Sequence, residues 1–351
     1  MNEDILLSVI IPVYNTEEYL ERCLDSVIKA LKKIDFNTEV IVINDGSKGN
    51  VSEIIKEYLN EFPNLIRYIV QENKGRGATR NIGVNKSKGK YLHFVDSDDY
   101  VSEDIYNFML KTITNDSTDI VICDFQSVDS KNTKKNCYVK VRNNNIKNFK
   151  YGFFDELILP ACWNKIIKKD LFNGILFPED INYEDLATIP LIVLKAKKIE
   201  YVPKMLYNYI QNENSVMNEK FGVNQLNIIK ALEIICDRIT NTPCLKEDIE
   251  KIKYMLCTRR YFEEILEKIA LSKENKNLIV KEFCKKAKKI DNMLWNNEYF
   301  IELLKSQNRY KTNKILHIAI QKNMCNLLEL FLNKRLYYRY FAVRYKSLKE
   351  D

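Results

Sequence analysis

Five short apolar runs, at 8–13, 39–43, 65–70, 91–95 and 119–125, none of them alternating apolar with polar residues, constrain this chain most. A strand that shows one face to water alternates, whereas one covered on both faces does not. Segments with helical periodicity separate the runs, over 17–33, 51–60 and 78–88 and again from about 102. Helical crossovers between buried strands make a mostly parallel sheet, so the expected class is α/β. Thr16 is placed to cap the first helix, and Glu17 and Glu18 sit in its first turn, where they favour the helix dipole.

Beyond 125 the character changes. Residues 127–150 are polar and rich in Asn and Lys, and read as an exposed loop or irregular hairpin. From about 221 helical periodicity takes over and strand signals stop. A boundary near 218 is expected, giving an α/β domain over 1–218 and an all-helical C-terminal module over 219–351. The apolar fraction of 46% and well-mixed charges exclude a disordered chain. With acids and bases interspersed, the net charge of +7 gives no nucleic-acid footprint. No two of the nine cysteines stand two residues apart, which removes support for zinc ribbons and thioredoxin-type motifs. They read as buried free thiols in a reducing compartment. The start Asn2-Glu3-Asp4 is acidic where a signal peptide is basic, and no apolar run reaches membrane-span length. The expected location is cytoplasmic.

The run 91–95 ends in Asp96-Ser97-Asp98-Asp99. Three carboxylates within four residues repel one another unless a cation relieves them. A hard divalent ion shared with a substrate's phosphates does so; the plainer reading is a solvated acidic turn. His93, inside the apolar run, reads as a core histidine. Two more runs end in suitable residues, Pro12-Val13-Tyr14-Asn15 and Asn44-Asp45-Gly46-Ser47. Open α/β sheets bind ligands beyond the carboxyl ends of their strands, so the three tips are expected to face one crevice.

These blocks, with Asn73-Lys74-Gly75 and Ala78-Thr79-Arg80-Asn81-Ile82-Gly83, resemble the family 2 glycosyltransferases in order and spacing. The resemblance covers about residues 5–218. It implies the GT-A fold, an inverting mechanism and a bacterial surface-polysaccharide role. It implies a donor site lined by Pro12, Val13, Tyr14, Asn15, Asp45, Lys74, Gly75, Arg76, Arg80, Asp96, Ser97 and Trp163. Tyr14 would stack on a nucleobase. Asp45 would accept from N3–H of uracil, a group that cytosine lacks. Arg76 and Arg80, beside a helix N-terminus, suit a diphosphate. Asp96 would bond the ribose, and Asp98 would bind Mn²⁺ or Mg²⁺. A Rossmann cofactor reading fails, because Arg80 stands where the third glycine of that fingerprint belongs.

Inversion needs a base for the acceptor hydroxyl. Tyr183-Glu184-Asp185-Leu186 resembles the family's Glu-Asp motif, which makes Asp185 the candidate base with Glu184 beside it. Glu179-Asp180 is the other pair. Pro190 falls inside the helical pattern that follows and is expected to kink or delay it. Trp163 reads either as a platform for a hexose or as core. Gln211 stands where the family often has an Arg.

The stretch 327–346 is basic, aromatic and helical in pattern. It reads either as a peripheral contact with an anionic membrane or as a terminal helix docked on its own domain or on a second subunit. The sequence-level reading is a metal-dependent glycosyltransferase moving a hexose or N-acetylhexosamine from a UDP-sugar to a surface-glycan or lipid-linked oligosaccharide acceptor. The alternatives are a sugar nucleotidyltransferase, which would carry a Gly-rich loop after the first strand, and a non-catalytic glycan-assembly subunit.

Overall fold

The computed structural model describes residues 4–113, 117–129, 135–138, 160–211, 221–242, 246–272 and 275–342. These divide into two compact units. One holds the described residues up to 180 together with 188–211; the other holds 181–187 and 221–342.

The first unit is built on a nine-stranded sheet. Its strands are β1 (Leu7–Val13), β2 (Thr38–Asn44), β3 (Ile66–Val70), β4 (Tyr91–Phe94), β5 (Tyr100–Val101), β6 (Ile120–Asp129), β7 (Lys135–Tyr138), β8 (Lys165–Lys168) and β9 (Ile199–Gln211). They lie in the order β3-β2-β1-β4-β8-β6-β9-β5, with β7 beside β6. The four strands β3-β2-β1-β4 are parallel, as their unalternating apolar sequences require. The other half is mixed: β8 runs antiparallel to both β4 and β6, while β9 is parallel to β6. The apolar runs 91–95 and 119–125 are therefore separated by a strand drawn from later in the chain.

Helices α1 (Glu17–Leu31), α2 (Val51–Glu61), α3 (Gly75–Lys86) and α4 (Ile105–Lys111) connect these strands. The apolar stripe of α1, Leu20, Cys23, Leu24, Val27 and Ile28, joins Val9, Ile11, Val13, Val40 and Val42 of β1 and β2 in one core. Each such side chain contributes about 1.5–3 kcal/mol when fully buried. Thr16 makes no capping bond; its hydroxyl pairs instead with that of Ser97 at 2.7 Å. Helix α3 starts at Gly75, three residues before the expected start. Pro190 delays its helix rather than kinking it: the helix Ile189–Lys195 begins with Pro in its first turn, where no intrahelical N–H is needed. Of the polar stretch 127–150, residues 127–129 extend β6 and 135–138 form β7; the rest lies outside the described residues.

Among the described residues, the second unit is built of helices from Asn227 onward. Its interior includes Asp291, fully buried, which accepts from His317 Nδ1 at 2.5 Å and from Gln321 Nε2 at 3.0 Å. Burial raises the Asp291 pKa. Seven described cysteines are free thiols, six of them buried. No described helix is long and apolar enough to cross a membrane.

Candidate active site

The tips of β1, β2 and β4 are fastened to one another by short polar contacts. Asn15, held at φ 51°, donates its amide to Ser47 Oγ at 3.0 Å and accepts the Lys48 amide at 3.1 Å. Asn44 Oδ1 accepts the Ser47 amide at 2.9 Å and so closes the turn after β2. The Thr16–Ser97 hydroxyl pair ties the β1 tip to the acidic turn after β4. Tyr14 projects from this junction with 45% of its surface exposed. Its ring is available for stacking and is not part of the core. Ser97 is buried, Pro12 is half-buried, and Val13 is fully buried. Val13 is thereby corrected as a donor-site side chain: it packs in the core, and its carbonyl accepts the Asp45 amide at 2.8 Å.

Asp45 is 3% exposed, and its carboxylate works inside the protein. Oδ1 accepts from Gln71 Nε2 at 2.6 Å and from the Lys74 amide at 2.8 Å, while Oδ2 accepts the Gly75 amide at 2.9 Å. A carboxylate offers about four acceptor positions, so one remains for a ligand. These bonds also revise Lys74 and Gly75, whose amides are taken by Asp45 and are not free for a diphosphate. The Lys74 side chain itself is exposed.

The three acidic residues after β4 have different partners. Asp96 pairs with Arg80 at 2.9 Å. Arg80 is 2% exposed and lies over the Phe177 ring, which corrects its expected role: it holds Asp96 and does not present a guanidinium to a diphosphate. Arg76, one turn earlier, is exposed. Asp99 is buried and fixed from two sides, by Tyr207 OH at 2.7 Å and by the Ile210 amide at 2.7 Å. Burial, then the charges of Asp98 and Asp96, push its pKa well above the usual range. Asp98 is left between them. Its carboxyl is pushed up to about 6, first by burial and then by Asp96, against the pull of Arg76 and Arg22. Arg22 also donates to the Asp98 carbonyl at 3.1 Å.

Loop 177–179 packs on the start of α3. Asn81 donates to the Phe177 carbonyl and accepts the Phe177 amide, both at 2.9 Å, and reaches Glu179 Oε1 at 3.1 Å. The approach is so close that a Cβ on Gly77 would stand 1.9 Å from the Pro178 carbonyl oxygen. Asp180 follows this loop and is exposed. The candidate base pair belongs to the second unit, in the turn 181–187. There Asp185 Oδ1 accepts the Leu186 amide at 2.7 Å, and Glu184 is 3% exposed.

Trp163 is core and is corrected as a sugar platform. It is 7% exposed, stacks on Tyr207 at 4.5 Å and on Tyr209 at 5.7 Å, and meets Phe125 edge-on at 4.7 Å. Packed among those rings, Trp163 has little exposed surface to offer a hexose. His93 is also core, with no exposed surface. Its Nε2 donates to the Trp163 carbonyl at 2.8 Å, which makes Nδ1 the acceptor for Tyr106 OH at 3.1 Å. Sequence reasoning missed Gln71, Arg22 and Asn81. Each acts through a contact distant in sequence; Gln71 and Arg22 belong to no recognisable motif, and Asn81, although inside the Ala78–Gly83 block, had no role assigned.

The model for Glycosyl transferase family 2 matches residues 8–173. Glycosyltransferase GlyG of Streptococcus pneumoniae serotype 4 is 31% identical over 232 residues, covering 62% of this chain and 75% of GlyG. Residues 1–349 of S. aureus TarS, in complex with UDP-GlcNAc, share the fold with a TM-score of 0.66 at 19% identity, over 95% of this chain and 92% of that one. The mannosyltransferase PcManGT of Pyrobaculum calidifontis, in complex with GDP-Man and Mn²⁺, has a TM-score of 0.52 at 13% identity, over 93% and 87%. Sheet order and helical C-terminal region agree with that GT-A likeness, and by its kinship to GlyG and the family model the chain belongs to glycosyltransferase family 2.

Proposed function

We propose that this glycosyltransferase moves a hexose or N-acetylhexosamine, with inversion, from a UDP-sugar to a hydroxyl of a surface-glycan or lipid-linked oligosaccharide acceptor. The observation that carries the reading is the junction of the β1, β2 and β4 tips. It sets an exposed ring (Tyr14), a buried acceptor (Asp45), an exposed guanidinium (Arg76) and an under-compensated carboxyl (Asp98) on one end of the sheet. TarS binds UDP-GlcNAc on the same fold, which supports the donor class. In this reading Tyr14 stacks on uracil, and the remaining acceptor position of Asp45 takes N3–H. Asp96, oriented by Arg80, bonds the ribose, and Arg76 meets the diphosphate.

The residues present fit a divalent cation. Asp96 and Asp99 are bound to protein partners, and burial together with the neighbouring Asp96 pushes the Asp98 carboxyl up, a strain that a bound cation would relieve. No cluster of three or more His, Cys, Asp or Glu is placed to hold a metal among the described residues, so Asp98 would share the ion with diphosphate oxygens and water. Bound there, Mn²⁺ or Mg²⁺ would offset the charge that develops on the departing UDP. PcManGT carries Mn²⁺ on a related fold.

Asp185 takes the proton from the acceptor hydroxyl as that oxygen attacks the anomeric carbon. Its bond to the Leu186 amide fixes the carboxylate's direction. A cytoplasmic location, at the inner face of the plasma membrane, is where nucleotide-sugars and lipid-linked acceptors meet.

A screen of nucleotide-sugars for Mn²⁺-dependent binding and hydrolysis tests the reading. Asp98→Ala is expected to abolish turnover and metal-dependent UDP binding while the circular dichroism spectrum stays unchanged. Near wild-type turnover with retained Mn²⁺ dependence would remove Asp98 from the site.

A further inference from the structure

The helix Tyr310–Gln321 of the second unit buries Asn313, Leu316, Ala319 and Ile320. Its other side is not polar throughout. Ile315 is 47% exposed and Ile318 41% exposed, and Lys311, Lys314 and Lys322 are exposed with them. At about 100° per residue these five positions fall within an arc of about 100°, with Ile318 between Lys314 and Lys311 and Ile315 at the edge beside Lys322. The charge along this stretch is mostly positive. Between 310 and 342 the chain has six basic residues, Lys311, Lys314, Lys322, Lys334, Arg335 and Arg339, and one acid, Glu329. The second basic group lies next to the helix start, because the Arg309 guanidinium donates to the Arg339 carbonyl. Lys334, Arg335 and Arg339 are exposed, as is 43% of Tyr338.

We propose that this face docks on an anionic lipid surface. The lysines meet the headgroup charge and the isoleucines enter the headgroup–acyl boundary. Charge complementarity selects this occupant. In a two-fold contact between copies of this chain the same patch faces itself, which sets lysine against lysine. Nucleic acid would satisfy the lysines and leave the two isoleucines without a role. The surface lies outside the residues assigned to donor binding and proton transfer.

The test is sedimentation of the full chain with vesicles of phosphatidylcholine alone and of phosphatidylcholine containing phosphatidylglycerol. Binding is expected with the anionic vesicles and is expected to weaken as salt is raised. The triple variant Lys311→Gln, Lys314→Gln, Lys322→Gln should bind about 100-fold more weakly, at about fivefold per lysine. The double variant Ile315→Ser, Ile318→Ser should lose at least about tenfold while remaining folded by circular dichroism at the assay temperature. UDP affinity should be the same in all three proteins, which separates this surface from the donor site. Equal binding to both vesicle types, or variants that sediment like wild type, would overturn the proposal. A change in oligomeric state in the isoleucine variant, by light scattering, without a change in lipid binding would make this face a contact between copies, and would overturn it equally.

Discussion

Replacing Asp45 by Asn keeps the shape of the side chain and removes half of its accepting capacity. Its carboxylate takes three bonds, at 2.6, 2.8 and 2.9 Å, from Gln71 and from the Lys74 and Gly75 amides. In the better orientation the Asn carbonyl keeps the two bonds at Oδ1 and turns its NH₂ toward the Gly75 amide, donor against donor. One charge-assisted bond is lost, at about 1.5–3 kcal/mol, and the other two lose the charge that strengthens them. A total near 3 kcal/mol follows, or a fall in Tm of about 6–12 °C for a unit of this size. Differential scanning calorimetry reads it directly. If Asp45 also reads the base, wild type binds UDP more tightly than CDP and Asp45→Asn narrows the gap, as titration calorimetry would record. A variant that melts within about a degree of wild type would refute the latch, because a buried donor facing a donor cannot be free of cost. Equal UDP and CDP affinities in wild type would leave the latch and dismiss base reading.

Gly77→Ala places a methyl 1.9 Å from the Pro178 carbonyl oxygen, so loop 177–179 must shift. Urea unfolding should show a loss of about 1–3 kcal/mol. Gly174→Ala, at φ +77° with nothing within 4 Å of the added carbon, should cost about 1–2 kcal/mol from backbone strain alone. His93, buried and neutral, has its pKa lowered to about 4 by burial. The unfolded chain binds the extra proton between about 4 and the ordinary value near 6.5, so this histidine's contribution is present above pH 6.5 and is lost as pH falls toward 4. The loss is about 3 kcal/mol at most. The pH dependence of wild-type stability minus that of His93→Gln isolates it, since the raised values of Asp98 and Asp99 act in the opposite sense. Asp185→Asn should lower kcat about 10²–10⁴-fold with little change in UDP-sugar affinity, whereas Asp180→Asn should cost much less. The reverse order would move the base to the Glu179–Asp180 pair.

The parallel half of the sheet was legible because β1 to β4 are apolar without alternation, a local property. In the mixed half only β6 was, as the run 119–125. β8 has four residues with a lysine at either end, and β9 holds Pro203 and Lys204 mid-strand. Their place depends on pairing with β4 and β6, which no local pattern encodes. At the site, the acidic turn followed from where a strand ends, whereas the stacking role of Tyr14 came from the family resemblance. The inward partners did not follow. Arg80 and Asp45 read as ligand contacts through the family resemblance; charged residues seldom bury themselves, and only Asp96 and the Lys74–Gly75 amides explain why these do. Trp163 was undecided in sequence because the rings that cover it, Tyr207 and Tyr209, come some forty residues later.

The division of the chain bears on how such enzymes are inherited. Residues 181–187 belong to the second unit, and the Arg238 guanidinium donates to the Ala187 carbonyl at 3.2 Å. The chain thus enters the second unit, returns to complete β9, and only afterwards builds the helices. A helical region acquired through one recombination junction near 218 would arrive without the buried Ile181, Leu186 and Ala187 that fold with it. Exchange of the second unit between relatives would therefore need three matched junctions, before 181, after 187 and near 218, and would carry Glu184 and Asp185 together with the helices.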